Sequence, residues 1–374
     1  MNFVKVLTNT SFWGAIVATV VIISLGFILT KTKVLKVEFK KVLNAVVLKI
    51  ALPAVAFIGF MKKVTVADLT NEGIILGVSF AFYILLCLAV FLFVKYGSRI
   101  IPSRMKKNPD GTVAKSESKA LISWMMIIFG SITFFGLPII NVMAKDATTS
   151  ANIWTIPYRI FLYSYCFMMV SGLKFDKENI KKSLKTTFLN PIVIATFLGL
   201  VLYLTQLIPG ASGFAANFAR SFEDSKTGII KPGEAGWFQL DVTMPYIHKT
   251  INYLSGLASP LVWLSIGITL ATSNIKAAAK DWKVWTFSAV KLVVLPLVIF
   301  LIFWPLVKIG KVTAQSGLAM VIFAATPPAT VVIAYAMQYK VHEEYAAQCS
   351  ALSTLLAVVL MPIWVAVASA VYGL

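Results

Sequence analysis

Charge is scarce in this chain. Of 374 residues only 15 are Asp or Glu and 34 are Lys or Arg, together about half the charged fraction of a soluble globular domain, which is roughly 25%. Cysteine and histidine are rarer still. Cys87, Cys166 and Cys349 lie in apolar stretches, without a CxxC pair or a Cys–His spacing suited to a metal, and read as small core residues. With His248 and His342 as the only histidines, zinc chemistry and histidine catalysis have little to work with. The apolar stretches contain no acid pair, no histidine and no convincing Ser–Lys pair, so neither an enzyme nor a cofactor is expected.

Hydrophobic residues make up 59% of the chain, and the one solvent that accepts such a surface is lipid. The net charge of +19 would suggest nucleic acid in a soluble protein. Here the basic residues form short clusters between apolar runs, with no folded basic face carrying interleaved aromatics. A bilayer core of about 30 Å takes about 20 apolar residues per helix. That ruler finds spans at 11–30, 42–61, 73–95, 119–144, 152–172, 191–208, 250–272, 284–306, 313–338 and 345–371. The expected fold is an all-α polytopic membrane protein of about ten helices, the first retained rather than cleaved as a signal.

Basic residues mark the cytoplasmic loops. Lys31, Lys33, Lys36, Lys40 and Lys41, the segments 95–119 and 174–185, and Lys276, Lys280, Lys283 and Lys340 fall on one side. The opposite side is poorer, so both termini are expected outside the cell, with the chain in the inner (plasma) membrane. Arg99–Lys119 reads as a basic cytoplasmic loop with a Pro-Asp-Gly turn. Pro209–Lys249, with an amphipathic piece at Phe214–Phe222 and Gly-Trp-Phe at 236–238, reads as an interfacial helix and hairpin on the outer leaflet.

The two halves are alike. MMIIFGSITFFGLPII (125–140) and AMVIFAATPPATVVIA (319–334) both run apolar, then small and hydroxyl-rich, then proline, then apolar. LKIALPAVAF (48–57) and SGLASPLVWL (255–264) are a second matched pair. Five spans per half force the second copy to enter the membrane upside down, an inverted repeat of the kind secondary transporters use. The boundaries are 1–173 for the first repeat, 174–190 for a cytoplasmic linker, and 191–374 for the second repeat with an extracellular insertion at 209–249. Gly130, Gly136 and Pro138 break the fourth span; Pro327 and Pro328 break the ninth. A broken helix is tolerated in hydrocarbon only where protein or a water-filled cavity receives its backbone. The two breaks are expected to cross near the midplane, with positive half-helix N-termini aimed at whatever binds there.

Lys49, Arg159 and Lys291 sit inside spans that hold no Asp or Glu. An intramembrane charge is costly and is a functional candidate by default. Positive groups beside helix N-termini favour an anion, and the planar fork of Arg159 suits a carboxylate best. Ser131, Thr133, Thr326 and Thr330 flank the breaks, and Gln348 with Ser353 and Thr354 could add neutral donors.

At FFGLPI (134–139), LNPIVIATFLGL (189–200), LASPLVWLSIGITLA (257–271), TPPAT (326–330) and SALSTLLAVVLMPIW (350–364) the chain resembles the auxin efflux carrier family. Its prokaryotic branch includes malate permeases, and it belongs to the bile/arsenite/riboflavin transporter superfamily. The resemblance implies ten helices in two inverted five-helix repeats, with helices four and nine crossing at their prolines. A scaffold of helices one, two, six and seven would hold a moving transport domain, in a homodimer. The chain differs in having Ser131 where members often have asparagine, and in its long 209–249 segment. Together these expectations describe a carrier for small organic anions, a dicarboxylate such as malate, working by elevator-like alternating access. Arg159, Ser131, Thr133, Thr326, Thr330, Lys291 and Gln348 are the candidate substrate contacts, H+ or Na+ the candidate coupling ion. A sodium-coupled symporter of the bile-acid type and a membrane sensor without flux are the alternatives.

Overall fold

A computed structural model describes residues 10–61, 64, 66–100, 119–172, 178, 181, 185, 188–208, 222–223, 230–231 and 240–374. The segment before Thr10, most of the basic loop, nearly all of the amphipathic piece and the Gly-Trp-Phe lie outside the described residues, as does much of the 174–190 linker.

The described chain is helical apart from one ribbon, in which β1 (Phe222–Glu223) pairs antiparallel with β2 (Ile230–Lys231). The first helix, α1 (Thr10–Lys31), is followed by α2 (Phe39–Ile58) and α3 (Val66–Ile100). Next come α4 (Lys119–Ile128), α5 (Ile132–Met143), α6 (Thr148–Phe161), which continues to Ser171, and α7 (Pro191–Thr205). The second half holds α8 (Leu240–Thr243), α9 (Pro245–Thr272), α10 (Ile275–Lys280), α11 (Trp282–Lys308), α12 (Ala314–Ala324), α13 (Thr330–Gln338) and α14 (Glu343–Tyr372). Among the described residues, five stretches are long and apolar enough to cross a bilayer: Phe39–Ile58, Ala67–Leu92, Pro245–Thr272, Trp282–Lys308 and Glu343–Tyr372. Their outward faces carry large apolar side chains, such as Leu85 and Leu88 on α3 and Leu297 and Leu301 on α11.

Several helices begin earlier than hydropathy places them, at Phe39, Ala67 and Pro245 rather than at 42, 73 and 250. Their first turns are polar, which an apolar scan discards. The consequence is a correction: the α3 stretch includes Asp68 and Glu72, so the spans are not free of carboxylates.

Three helices share one local device. A π turn covers Val47–Ala51 in α2, Ile132–Gly136 in α5 and Val290–Val294 in α11, and a Leu-Pro pair follows each. Proline cannot donate to the carbonyl four residues back and its ring crowds that carbonyl. Widening the preceding turn relieves the crowding. The N–H groups of Leu52, Leu137 and Leu295 reach the carbonyls five residues back, those of Val47, Ile132 and Val290. In α11 the carbonyl opposite Pro296 is that of Leu292, which accepts instead from Trp364 Nε1 at 2.9 Å.

Buried side chains fall into two clusters. The smaller joins α1, α2, α7 and α9 through Ile23, Val47, Leu52, Val55, Ile192, Val262 and Trp263. Here α1 and α9 cross so closely that a Cβ on Gly26 would stand 2.5 Å from the carbonyl oxygen of Leu264, and one on Gly267 would overlap the carbonyl of Ile23. In the absence of a hydrophobic drive between helices in lipid, such small-residue contacts gain dispersion energy by close approach. The larger cluster gathers α3 to α6 and α11 to α14 around Phe129, Tyr158, Phe303 and Phe323.

Candidate functional site

Helix α4 stops at Ile128 and α12 at Ala324, and the chain between each and its successor crosses the other. Ser131 N donates to the Pro327 carbonyl at 2.6 Å, and Ala329 N donates to that of Phe129 at 2.9 Å. Gly130 and Pro328 form an isolated antiparallel bridge. The backbone groups that a helix end leaves unpaired thus satisfy one another across the crossing. Pro327 and Pro328 lie in the crossing segment itself, whereas Pro138 is the second residue of the regular helix after the π turn. On the first strand the contact is therefore made by Phe129–Ser131, seven residues before Pro138. Gly130 is required by proximity: a Cβ there would meet the Thr326 hydroxyl and stand 2.9 Å from Lys291 Nζ. Gly136 is likewise closed in, its Cβ position being 2.6 Å from the ring of Phe323.

Beside this crossing lies a cavity of about 430 Å³. Ser131, Thr133 and Phe134 bound it from the first break, and Ala329, Thr330 and Val331 from the second. Tyr158, Arg159 and Tyr163 come from α6 and its continuation. Asn44, Leu48 and Lys49 on α2 and Asn190–Ile192 at the start of α7 close the far side. The cavity therefore runs between the two buried clusters, and its lining includes two cations, Arg159 and Lys49, and no carboxylate.

Arg159 is buried, 3% exposed. Its Nη1 donates to Thr196 Oγ1 at 2.9 Å, and Thr196 donates onward to the Ile192 carbonyl at 2.7 Å. Its Nη2 is buried without a hydrogen-bond partner. A buried guanidinium nitrogen without a partner is costly, on the order of a lost charged hydrogen bond. Asn190 positions α7 as an N-cap, accepting from Ile192 N at 2.9 Å ahead of Pro191 at the first helical position. Its Nδ2 donates to the Tyr163 hydroxyl at 3.3 Å. Tyr158 donates to the Gly130 carbonyl at 2.7 Å and so ties α6 to the crossing.

Of the residues singled out in the sequence, Ser131, Thr133, Thr330, Arg159 and Lys49 meet at this cavity. Three others stand apart from it. Thr326 is fully buried and donates to the Phe323 carbonyl at 2.7 Å. Lys291, 1% exposed, is not part of the cavity lining, and its ammonium donates to the Ile127 carbonyl at 2.9 Å. Gln348 donates to Glu344 Oε1 at 3.3 Å.

Sequence reasoning passed over Glu72. It is buried, with Oε1 accepting from Ser150 Oγ at 2.8 Å and from Asn71 Nδ2 at 3.2 Å. Asn71 also holds Ser316 Oγ and accepts from Thr313 N. These residues stand at the N-terminal ends of α3, α6 and α12, whose positive dipole ends favour a carboxylate. The signal available in the sequence was the Asn-Glu pair one step outside an apolar run.

Comparison with known protein families gives the coarse class. Residues 112–365, about two thirds of the chain, match the family model described as Membrane transport protein. No curated protein matches the chain.

Proposed function

The chain belongs to the membrane transport protein family, that of the auxin efflux carriers, and on that premise we propose that it is a multi-pass carrier for small organic anions, with a dicarboxylate such as malate as substrate. The observation that carries this reading is the pair Arg159 and Lys49 on one cavity that has no carboxylate in its lining. Two cations suit a dianion. The idle Nη2 of Arg159 supplies a directional donor, because a guanidinium binds a carboxylate through parallel N–H bonds. Hydroxyls of Ser131, Thr133 and Thr330 and the helix start at Thr330 add neutral donors and a positive dipole end.

The mechanism proposed is elevator-like alternating access. The α4–α5 and α12–α13 pairs are the crossing broken helices of two inverted five-helix repeats, ten spans in all, in the plasma membrane with both termini outside. The smaller buried cluster is the scaffold and the larger one moves. The cavity's position between the two clusters supports this, because a bound anion there would neutralise cations from both sides before they slide. A homodimer through the scaffold, and H+ as coupling ion if one is used, complete the proposal.

The test is uptake of labelled malate into liposomes preloaded with unlabelled malate, for the wild type and for Arg159→Gln, in sodium and in potassium. Accumulation lost in Arg159→Gln with folded protein recovered supports the reading. Normal uptake in that variant refutes the role of Arg159, and no uptake by the wild type removes malate.

A further inference from the structure

Two basic turns lie outside the anion cavity, and none of their lysines lines it. One runs from Lys31 to Lys41 and joins α1 to α2; the other runs from Asn274 to Lys283 and joins α9 to α11 by way of α10. A single bond fixes where they lie relative to each other: Ser265 Oγ donates to Asn44 Oδ1 at 2.7 Å. At 1.5 Å per residue, Asn44 stands about 8 Å along α2 from its start at Phe39, and Ser265 about 10 Å back from the end of α9 at Thr272. In a hydrocarbon slab about 30 Å thick, side chains at those depths can touch only if both helix ends emerge on the same face. The close crossing of α1 and α9 at Gly26 and Gly267 then sets the two turns side by side.

The surface so formed interleaves cations with bare apolar side chains. Lys31, Lys33, Lys36 and Lys41 are exposed, and so are Val34, Val37 and Phe39 among them. On the second turn the exposed Lys276, Lys280 and Lys283 accompany Trp282, 68% exposed, and Trp285. The Trp285 ring is held in place by its Nε1, which donates to the Ala279 carbonyl at 2.9 Å. Two acids belong to these turns, Glu38 and Asp281. Asp281 is engaged, accepting from Lys283 N at 2.9 Å and pairing with Lys119 at 3.8 Å. Lys33 adopts φ 62, a left-handed conformation that glycine holds at less cost, so the first turn keeps a cation where the backbone favours none.

Each component fits one partner. Tryptophan settles at headgroup level, apolar side chains at a bilayer edge enter the acyl boundary, and lysines beside them attract anionic headgroups. A soluble acidic protein would match the charge and leave Val34, Val37 and Trp282 against hydrocarbon. Zwitterionic lipid would cover those side chains and leave the lysines without a counter-charge. We propose that the paired turns form a binding surface for anionic phospholipid, its phosphate held by the lysines of both turns and its acyl chains lying against their exposed apolar side chains. Because α1, α2 and α9 all contribute to the smaller buried cluster, the lipid tethers that cluster to its leaflet. The inference needs only that the chain spans a bilayer, so failure of malate uptake leaves it untouched.

The experiment is thermal unfolding of the detergent-purified full chain, titrated with phosphatidylglycerol, with phosphatidylcholine and with free glycerol phosphate. Wild type is compared with a triple variant, Lys33→Gln, Lys36→Gln and Lys280→Gln, and with the same three positions changed to Arg. A control triple carries Lys145→Gln, Lys308→Gln and Lys311→Gln, away from both turns. Phosphatidylglycerol should raise the wild-type melting temperature saturably by about 3 °C or more, and the other two additives should not. A lysine near an anionic surface is worth about fivefold in affinity, so the midpoint for the Gln triple should move up roughly a hundredfold. The Arg triple and the control should titrate with the wild type. Melting in phosphatidylcholine supplies each variant's baseline, which separates lost stability from lost binding. Equal responses to the two lipids would overturn the proposal, as would a Gln triple that titrates with the wild type or a control that loses the shift as well. A shift reproduced by glycerol phosphate would also overturn it, by revealing a site for soluble anions.

Discussion

Arg159 and Thr196 are joined by a 2.9 Å hydrogen bond that pins one nitrogen of the guanidinium to α7 while the other stays without a partner at the cavity. Thr196 stands on α7 between Ile192, which is in the smaller buried cluster, and Tyr203, which is in the larger. Thr196→Val keeps the shape and removes the acceptor. The expected result is weaker binding of the anion by about 1 kcal/mol, roughly a fivefold rise in KM, with Thr196→Ser restoring it. Concentration-dependent uptake by the three proteins is the check.

Gly130→Ala should damage the crossing. Its Cβ would collide with Thr326 and crowd Lys291, and overpacking of this kind costs about 1–3 kcal/mol. A fall in melting temperature of roughly 2–8 °C is expected, together with loss of uptake. Gly73→Ala is the control, since a Cβ there meets no atom within 4 Å.

Glu72→Ala should lower stability without touching the cavity that Arg159 lines. Ser150 and Asn71 would lose their shared acceptor inside the protein, and a lost hydrogen bond to a charged group costs about 1.5–3 kcal/mol. Thermal unfolding should show the loss, while malate KM in the surviving folded fraction stays at the wild-type value.

Gly267→Leu should separate α1 from α9, because the added side chain would enter the backbone of α1 at Ile23 and Phe27. The prediction is failure to recover folded protein, whereas Gly256→Leu, on the same helix with open space around its Cα, should be recovered at wild-type yield. Size-exclusion profiles of detergent-extracted protein distinguish the two.

Much of this architecture was legible in the apolar runs, because lipid imposes one length and one polarity on every stretch that enters it. Gly-Ser-x-Thr and Thr-Pro-Pro are expensive inside a helix, and the structure brings the backbones of those two segments together at Gly130 and Pro328. What composition could not disclose was which way a side chain turns. Arg159 and Lys291 look alike in sequence, each a lone cation in an apolar run, yet they line different cavities. Glu72 was missed because hydropathy scores a buried, hydrogen-bonded carboxylate as if it were wet. Pro138 drew attention as the break, although the proline merely follows a π turn that runs from Ile132 to Gly136.

Those π turns have a further consequence. An α-helix advances about 100° per residue, so one surplus residue in a turn puts everything on either side of it out of phase by that angle. Phe39–Val46 and Leu52–Ile58 therefore present different sides of α2 to the protein, with Lys49 at the joint; α11 changes sides at Lys291 in the same way. Deleting a single residue such as Val47 or Val290 would restore an even winding and keep every downstream apolar residue apolar. It would also rotate Lys49 or Lys291 away by about a quarter turn. For this chain a deletion of one residue in either joint would be more disruptive than most substitutions, and a loop deletion of the same size far less so.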